Sequence, residues 1–477
     1  MSMSPNIHEI KAPSDGSVLG EIENLSVNDI PNIVSKARKA FKTWCFSAPH
    51  ERAQILRTAA KKLMLKQNEL EILHAKESGK ILIQSRKEIS GAVELLEANA
   101  HIGQFKSGNL APTGAFPNGE RDLTIIERVP LGVVVCVIPF NFPVELTFEK
   151  AAAAIVAGNV VLLKPPPQNP LATMMAAQIL NESGLPDGVL QILPGCNKFS
   201  AALCAESGVD AVSLTGSVQA GISLAKASAK LLRPLHLELG GNGVALILED
   251  VDLKYVVSET LRGRLLMNGQ ACAGTKRIVV KENIADDFTE LLNDALSKIK
   301  MGNPELPESQ LGPLINLESA SRVASQVECI VKQGGKLLRG NKYNGSAWFS
   351  PTILENVPKD ADVAKDVEIF GPVFPIIRVQ NDQEAIEVAN QSSLKLTAAV
   401  FSSDLEHAFE LAHKLDFGGI VINGTNNYRP PVVPFGGVGL AGTGREGLGY
   451  TYDELTRSRF IAVRNLRPSS KHILKGL

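Results

Sequence analysis

No stretch of 18 uninterrupted apolar residues occurs in the sequence, which excludes a hydropathy-defined transmembrane helix. The N-terminus "MSMSPNIHEIKAPSDG" has neither a basic n-region nor an apolar h-region, so no secretory leader is expected and the cytosol is the expected compartment. Charge of one sign is also missing. Lys and Arg number 49 against 50 acidic residues, and a formal net charge of -1 offers no bulk attraction to nucleic acid or an anionic membrane. Cysteines are few: Cys45, Cys136, Cys196, Cys204, Cys272 and Cys329 are scattered, and none forms a CxxC pair. That excludes a disulfide framework and leaves reduced thiols as the expected state. The eight histidines do not group with them at zinc-ligand spacing, so no metal site is expected.

What is present is enough chain for two or three domains, because 477 residues exceed the size at which a single core stops growing. Apolar residues at three- and four-residue spacing predict helices over 27–45 and 51–80. From 122 the β-branched runs around Pro130-Leu131-Gly132 predict an extended hairpin leading into a buried strand. Between 145 and 240 the strands "VVLLK", "VLQIL", "AVSLT" and "LHLEL" alternate with helical patterns, and a second alternation runs from about 243 to 423. Each predicts a parallel sheet covered by helices. The glycine run 436–449 contains two matches to the dinucleotide fingerprint, "GVGLAG" and "GTGREG". The fingerprint needs a strand before it, a helix after it and an acidic residue about 20 positions on, but "PVVPFG" before the run is broken by prolines and only 30 residues follow Gly447. A tight loop where backbone approaches another segment is expected there instead.

Three residues stand out chemically. Cys272, in "GRLLMNGQACAGTKRIVV", follows a predicted helix (253–266) in a loop of small residues that leaves its sulfur reachable and its backbone N–H groups free to face an oxyanion. Taken alone it is either a nucleophile or core filler. Glu238, in "LHLELGGN", ends an apolar strand, where a carboxylate is either structurally paired or tuned for proton transfer. Asn141, in "PFNFP", offers a side-chain amide held between aromatics and prolines.

These segments occur together in an order that resembles the NAD(P)-dependent aldehyde dehydrogenase superfamily. The motifs are "PFNFP" (139–143), "GNVVLLKPP" (158–166), "LTGSVQAG" (214–221), "LELGGN" (237–242) with "GQAC" (269–272), "EIFGPV" (368–373) and "PFGGVGLAGTGREG" (434–447), and the similarity runs from about residue 9 to 465. The resemblance implies that Cys272 attacks an aldehyde carbonyl and that the Asn141 amide and the Cys272 N–H hold the oxyanion. Hydride then passes to nicotinamide, and Glu238 activates water to hydrolyse the thioester. Lys150 is implied as a further catalytic-site residue. For NAD or NADP it implies Gly216-Ser217 at a helix N-terminus facing the pyrophosphate, Lys164 at the adenosine ribose and Glu368 at the nicotinamide ribose. Ile138, Pro139, Phe140, Leu239 and Phe370 line the nicotinamide channel in that scheme.

Two departures from the family pattern matter. Pro167 stands where NAD-preferring members carry a ribose-binding glutamate; its absence removes a repulsion against a 2′-phosphate, so NADP is expected to be accepted. Asn268 stands one place later than the usual asparagine, an adjustment expected at a helix end. The aldehyde pocket is expected near Phe142, Leu146, Glu149, Leu266, Ala271, Ala273 and 425–429, with Arg429 either binding an anionic substrate group or serving as a structural partner. A small polar, hydroxylated or semialdehyde-type substrate is the expectation.

By resemblance the fold is α/β: a Rossmann-like cofactor domain (1–111 and 131–242), a second α/β catalytic domain (243–450), and a β-hairpin oligomerisation element (112–130 with 451–477). Open strand edges there need a partner, so a homodimer or homotetramer is expected. A CoA-acylating enzyme would keep Cys272 but would not need Glu238, and a non-enzymatic protein on the same scaffold would tolerate loss of Cys272, Glu238 or Asn141; all three residues are present.

Overall fold

The computed structural model describes residues 7–466, so the outer ends of the expected first and third parts, 1–6 and 467–477, lie outside the described residues. Two sheets dominate. The first has six strands in the order Gly442–Thr443, Leu235–Glu238, Ala211–Thr215, Val133–Val137, Val160–Lys164 and Leu190–Ile192. All its pairings are parallel except the antiparallel one between Gly442–Thr443 and Leu235–Glu238. Its central strands are buried on both faces, which is why they read as continuous Val, Leu and Ala runs rather than alternating ones. Helices Ile30–Trp44, Pro49–Leu65, Leu82–Phe105 and Pro143–Val156 supply residues to the same core.

The second sheet has seven strands: Lys336–Arg339, Thr352–Glu355, Val373–Val379, Arg277–Lys281, Val244–Ile247, Thr397–Phe401 and Gly419–Ile422. Its first pair is antiparallel and the rest are parallel. The mixed α/β architecture of the expected class is therefore present.

Three local expectations change. The pattern over 51–80 is two helices, Pro49–Leu65 and Gln67–Ser78, broken at Lys66, whose φ of -102° and ψ of 7° lie outside the helical region. The segment from 122 does not fold back on itself as a hairpin. Leu123–Pro130 pairs with Gly108–Ala111 and with Thr456–Val463 in a separate three-stranded sheet, whereas Val133–Val137 enters the six-stranded one. Gly132 makes the switch at φ +136°, where a Cβ would stand 1.9 Å from a carboxylate oxygen of Asp210. Finally, the helix Leu253–Leu265 gives way to a 3₁₀ turn, Leu266–Gly269, in which Met267 and Asn268 take left-handed φ values of 51° and 57°. Among the described residues no helix is long and apolar enough to cross a membrane, and no group of three His, Cys, Asp or Glu side chains could hold a metal ion.

Candidate active site

A cavity of about 830 Å³ runs along the C-terminal ends of the six-stranded sheet, within the roughly 300–1,000 Å³ of small-ligand sites. Its lining includes Cys272 and Asn141, brought together from segments 131 residues apart in sequence. The Asn141 side-chain Nδ2 donates to the Gln270 carbonyl at 2.9 Å, and its Oδ1 accepts the Phe142 N–H at 3.1 Å. Both contacts fix the amide plane of a residue that lines the cavity, and the NH₂ group carries a second N–H beyond the one given to Gln270. Cys272 is partly buried. Desolvation pushes its thiol up to about 11, against the opposing pull of Arg429 and Lys276, so the resting sulfur is protonated at neutral pH.

Glu238 closes the strand Leu235–Glu238 and is buried, with no hydrogen-bond partner among the described residues on either carboxylate oxygen. Burial first, then the negative charge of Glu446, raises its pKa well above the ordinary carboxylate value. A buried carboxyl without a hydrogen-bond partner among the described residues, whose hold on a proton is strengthened by burial, is suited to exchanging a proton with water rather than to holding the fold. Lys150 lies beside it in another role: its Nζ donates to Glu446 Oε1 at 2.6 Å and to Ser213 Oγ at 3.1 Å. Glu446, inside "GTGREG", also takes the Arg429 guanidinium at 2.6 Å. Its carboxyl is held at about 2: Lys150 and Arg429 overcome the desolvation that would raise it. In the sequence, Glu446 is marked only by being an acid beside Arg445 within a glycine-rich run.

The glycine run does what close backbone approach requires. Gly442 sits at φ +133°, and a Cβ there would stand 2.0 Å from the Leu237 carbonyl oxygen, next to Glu238. Arg429, expected as a substrate ligand or a structural partner, is bonded to Glu446 and lies 4.1 Å over the Phe435 ring. Glu149 turns away from the expected pocket: its Oε1 accepts the Gly447 N–H at 2.9 Å and the Thr451 hydroxyl at 2.5 Å. Leu146 is buried in the core, and Phe142 packs beneath the Lys80 ammonium, 3.9 Å from its ring centroid.

All nine residues expected at a dinucleotide line the same cavity. Gly216 and Ser217 stand at the N-terminus of the helix Val218–Ser228, where the Ser217 hydroxyl caps the Ala220 N–H. Lys164 is buried, bonded to the Pro165 carbonyl at 2.6 Å, and among the described residues has no carboxylate partner; desolvation lowers its ammonium to about 8. Glu368 meets Lys276 at 2.5 Å, and Phe370 contacts Phe140 edge-on at 5.9 Å. Ile138, Pro139 and Leu239 complete the wall. Gly240 leaves room beside Glu368, since a Cβ there would come within 2.5 Å of Glu368 Oε2. A buried cation without a carboxylate partner among the described residues, a helix N-terminus and a cavity whose wall also carries a thiol fit a dinucleotide.

The family model described as "Aldehyde dehydrogenase family" matches residues 2–461. The 3-sulfolactaldehyde dehydrogenase of Priestia aryabhattai is 34% identical over 93% of this chain and 92% of its own length. The NAD(+) benzaldehyde dehydrogenase of Pseudomonas putida is also 34% identical, over 94% of this chain and 92% of its own. Among solved structures, a glyceraldehyde-3-phosphate dehydrogenase from Methanocaldococcus jannaschii complexed with NADP superposes with a TM-score of 0.91 at 32% identity, covering 96% of this chain and 98% of that one.

Proposed function

The chain belongs to the aldehyde dehydrogenase family and is an NAD(P)-dependent oxidoreductase, and from that premise we propose that Cys272, Asn141 and Glu238 oxidise an aldehyde to a carboxylic acid through a thioester. The observation that carries this assignment is that Cys272 and Asn141 line the same cavity as Lys164, Glu368 and the Gly216-Ser217 helix terminus. Cys272 releases its thiol proton to water and, as thiolate, adds to the aldehyde carbon, so that a C–S bond forms as the carbonyl π bond breaks. The carbonyl oxygen becomes an oxyanion held by the free Asn141 N–H and the Cys272 backbone N–H. Bound NAD(P), held by Lys164, Gly216-Ser217 and Glu368, would supply the acceptor for the hydride leaving that carbon. Glu238, after releasing its own proton to solvent, takes a proton from water as the water oxygen attacks the thioester carbonyl; the C–S bond breaks, the carboxylic acid departs and the sulfur leaves as thiolate. Lys150 and Glu446 set the charge around Glu238 rather than touching the reacting atoms.

Acceptance of NADP is supported by Pro167 in place of an acidic ribose ligand and by Lys164 without a carboxylate partner among the described residues. A small polar, hydroxylated or semialdehyde-type aldehyde is the substrate class this reading favours. Support comes from Arg429, partly exposed near Cys272, and from relatives whose names specify 3-sulfolactaldehyde and glyceraldehyde-3-phosphate. A cytosolic location and self-association through the sheet of Gly108–Ala111, Leu123–Pro130 and Thr456–Val463 belong to the same proposal.

The test follows reduction of NAD and NADP at 340 nm with lactaldehyde, glycolaldehyde, glyceraldehyde 3-phosphate, succinate semialdehyde and benzaldehyde, beside Cys272→Ala. Turnover that vanishes in the variant is expected. Activity only on addition of CoA would move the chain to the acylating class, and turnover that survives in Cys272→Ala would overturn the nucleophile assignment.

A further inference from the structure

One buried ionic cluster lies outside the machinery just described. Lys80 and Glu88, from the end of one helix and the body of the next, are both fully or almost fully buried and are ion-paired, with His74 Nε2 2.8 Å from Glu88 Oε2. A buried pair of this kind is a poor stabilising device compared with apolar side chains, because both ions lose their hydration. Its hydrogen bonds point elsewhere. Lys80 Nζ donates to the backbone carbonyl of Asn141 at 2.7 Å. Glu88 Oε1 accepts the N–H groups of Val144 at 2.9 Å and Glu145 at 3.3 Å. The "PFNFP" loop is thus gripped at the residue that carries the amide and again at the start of the following helix.

The residue before Lys80 makes the opposite connection. The Gly79 carbonyl accepts Asn268 Nδ2 at 2.8 Å, and that same amide reaches the Pro313 carbonyl at 2.8 Å while its Oδ1 takes the Gly312 N–H. Asn268 lies four residues before Cys272, in the left-handed turn that delivers the nucleophile. Gly79 has φ +73°, and a Cβ there would come 2.8 Å from the Pro313 carbonyl oxygen, so only glycine allows this approach. Two consecutive residues therefore tie the amide loop to the nucleophile loop, and the displaced asparagine serves as the clasp rather than merely trimming a helix end.

We propose that Lys80 is a positioning residue: with Glu88, Gly79 and Asn268 it holds the Asn141 loop at a fixed distance from the Cys272 loop and so aims the Asn141 amide at the aldehyde oxygen. This rests on the assignment of Asn141 and Cys272 given above. A loosened oxyanion donor slows bond formation without altering the cofactor cleft, and misplacement by about 1 Å can cost on the order of 100-fold.

The experiment compares the K80M/E88Q double variant, which leaves no lone buried ion and keeps an acceptor for the Val144 N–H, with N141A and with the triple variant. Single-turnover NADPH formation is read with lactaldehyde and NADP, beside NADPH affinity by fluorescence. K80M/E88Q is expected to be about 10- to 100-fold slower with NADPH affinity changed less than about twofold, and to cost less than about threefold further in the N141A background. Equal losses in both backgrounds, or no loss at all, would overturn the proposal. An unimpaired N141A would instead remove the catalytic assignment beneath it, a result recognisable before any Lys80 variant is made. Should K80M/E88Q fold poorly, N268A reaches the same clasp from the nucleophile's side and must show the same non-additivity with N141A.

Discussion

Glu238 behaves unlike a carboxyl in solution. Among the described residues its carboxyl has no hydrogen-bond partner, and burial together with Glu446 disfavours its charge. Because the folded-state value lies above the ordinary 4.5, the protonated group's contribution to stability is full below about pH 4.5 and is lost as pH rises through the folded value. Glu238→Gln removes that loss. The stability difference between variant and wild type, read by urea denaturation, is therefore expected to shift in the variant's favour above pH 4.5, by up to about 1.4 kcal/mol per pH unit. In the same variant, NADPH formation is expected to stop after about one equivalent per active site as the thioester accumulates. A pH-independent difference, or undiminished steady turnover, would contradict the role given to this carboxyl.

At the scale of elements, the short pairing of Gly442–Thr443 with Leu237 and Glu238 does more than cap a sheet edge. It sets the backbone from which Glu238 projects, and it forms only because position 442 has no side chain and can adopt φ +133°. Gly442→Ala is expected to destabilise the chain by about 1–3 kcal/mol and to lower turnover at least several-fold, checked by chemical denaturation and steady-state kinetics. An alanine variant equal to wild type in both would mean the edge strand is dispensable. The helix Leu253–Leu265 and its left-handed continuation at Met267 and Asn268 show a related dependence. Apolar periodicity announced the helix, but the turn after it is held by tertiary hydrogen bonds to Gly79, Gly312 and Pro313, which leave no local sequence pattern.

For the whole molecule, the three-stranded sheet of Gly108–Ala111, Leu123–Pro130 and Thr456–Val463 joins segments more than 300 residues apart. It leaves Leu110, Phe460, Ile461 and Val463 exposed. Apolar side chains concentrated on a sheet with open edges mark a surface that self-association would cover. Phe460→Asp with Ile461→Asp is expected to shift sedimentation from an oligomer to a smaller species while far-UV circular dichroism stays unchanged. An unaltered sedimentation coefficient would place the interface elsewhere.

Sequence by itself determined the alternation of buried strands and amphipathic helices, because the burial of each element is written in its own periodicity. It also singled out Cys272, Glu238 and Asn141, whose residue types are chemically conspicuous where they stand. Lys80, Glu88, Glu446 and Asn268 were not legible in that way. A lysine in "KESGK" or a glutamate in "GTGREG" resembles any solvated charge until the fold places it within 2.7 Å of the Asn141 carbonyl or between Lys150 and Arg429. Only the tertiary structure decided those roles, since burial and partnership between residues up to 296 positions apart depend on how the sheets and helices pack together.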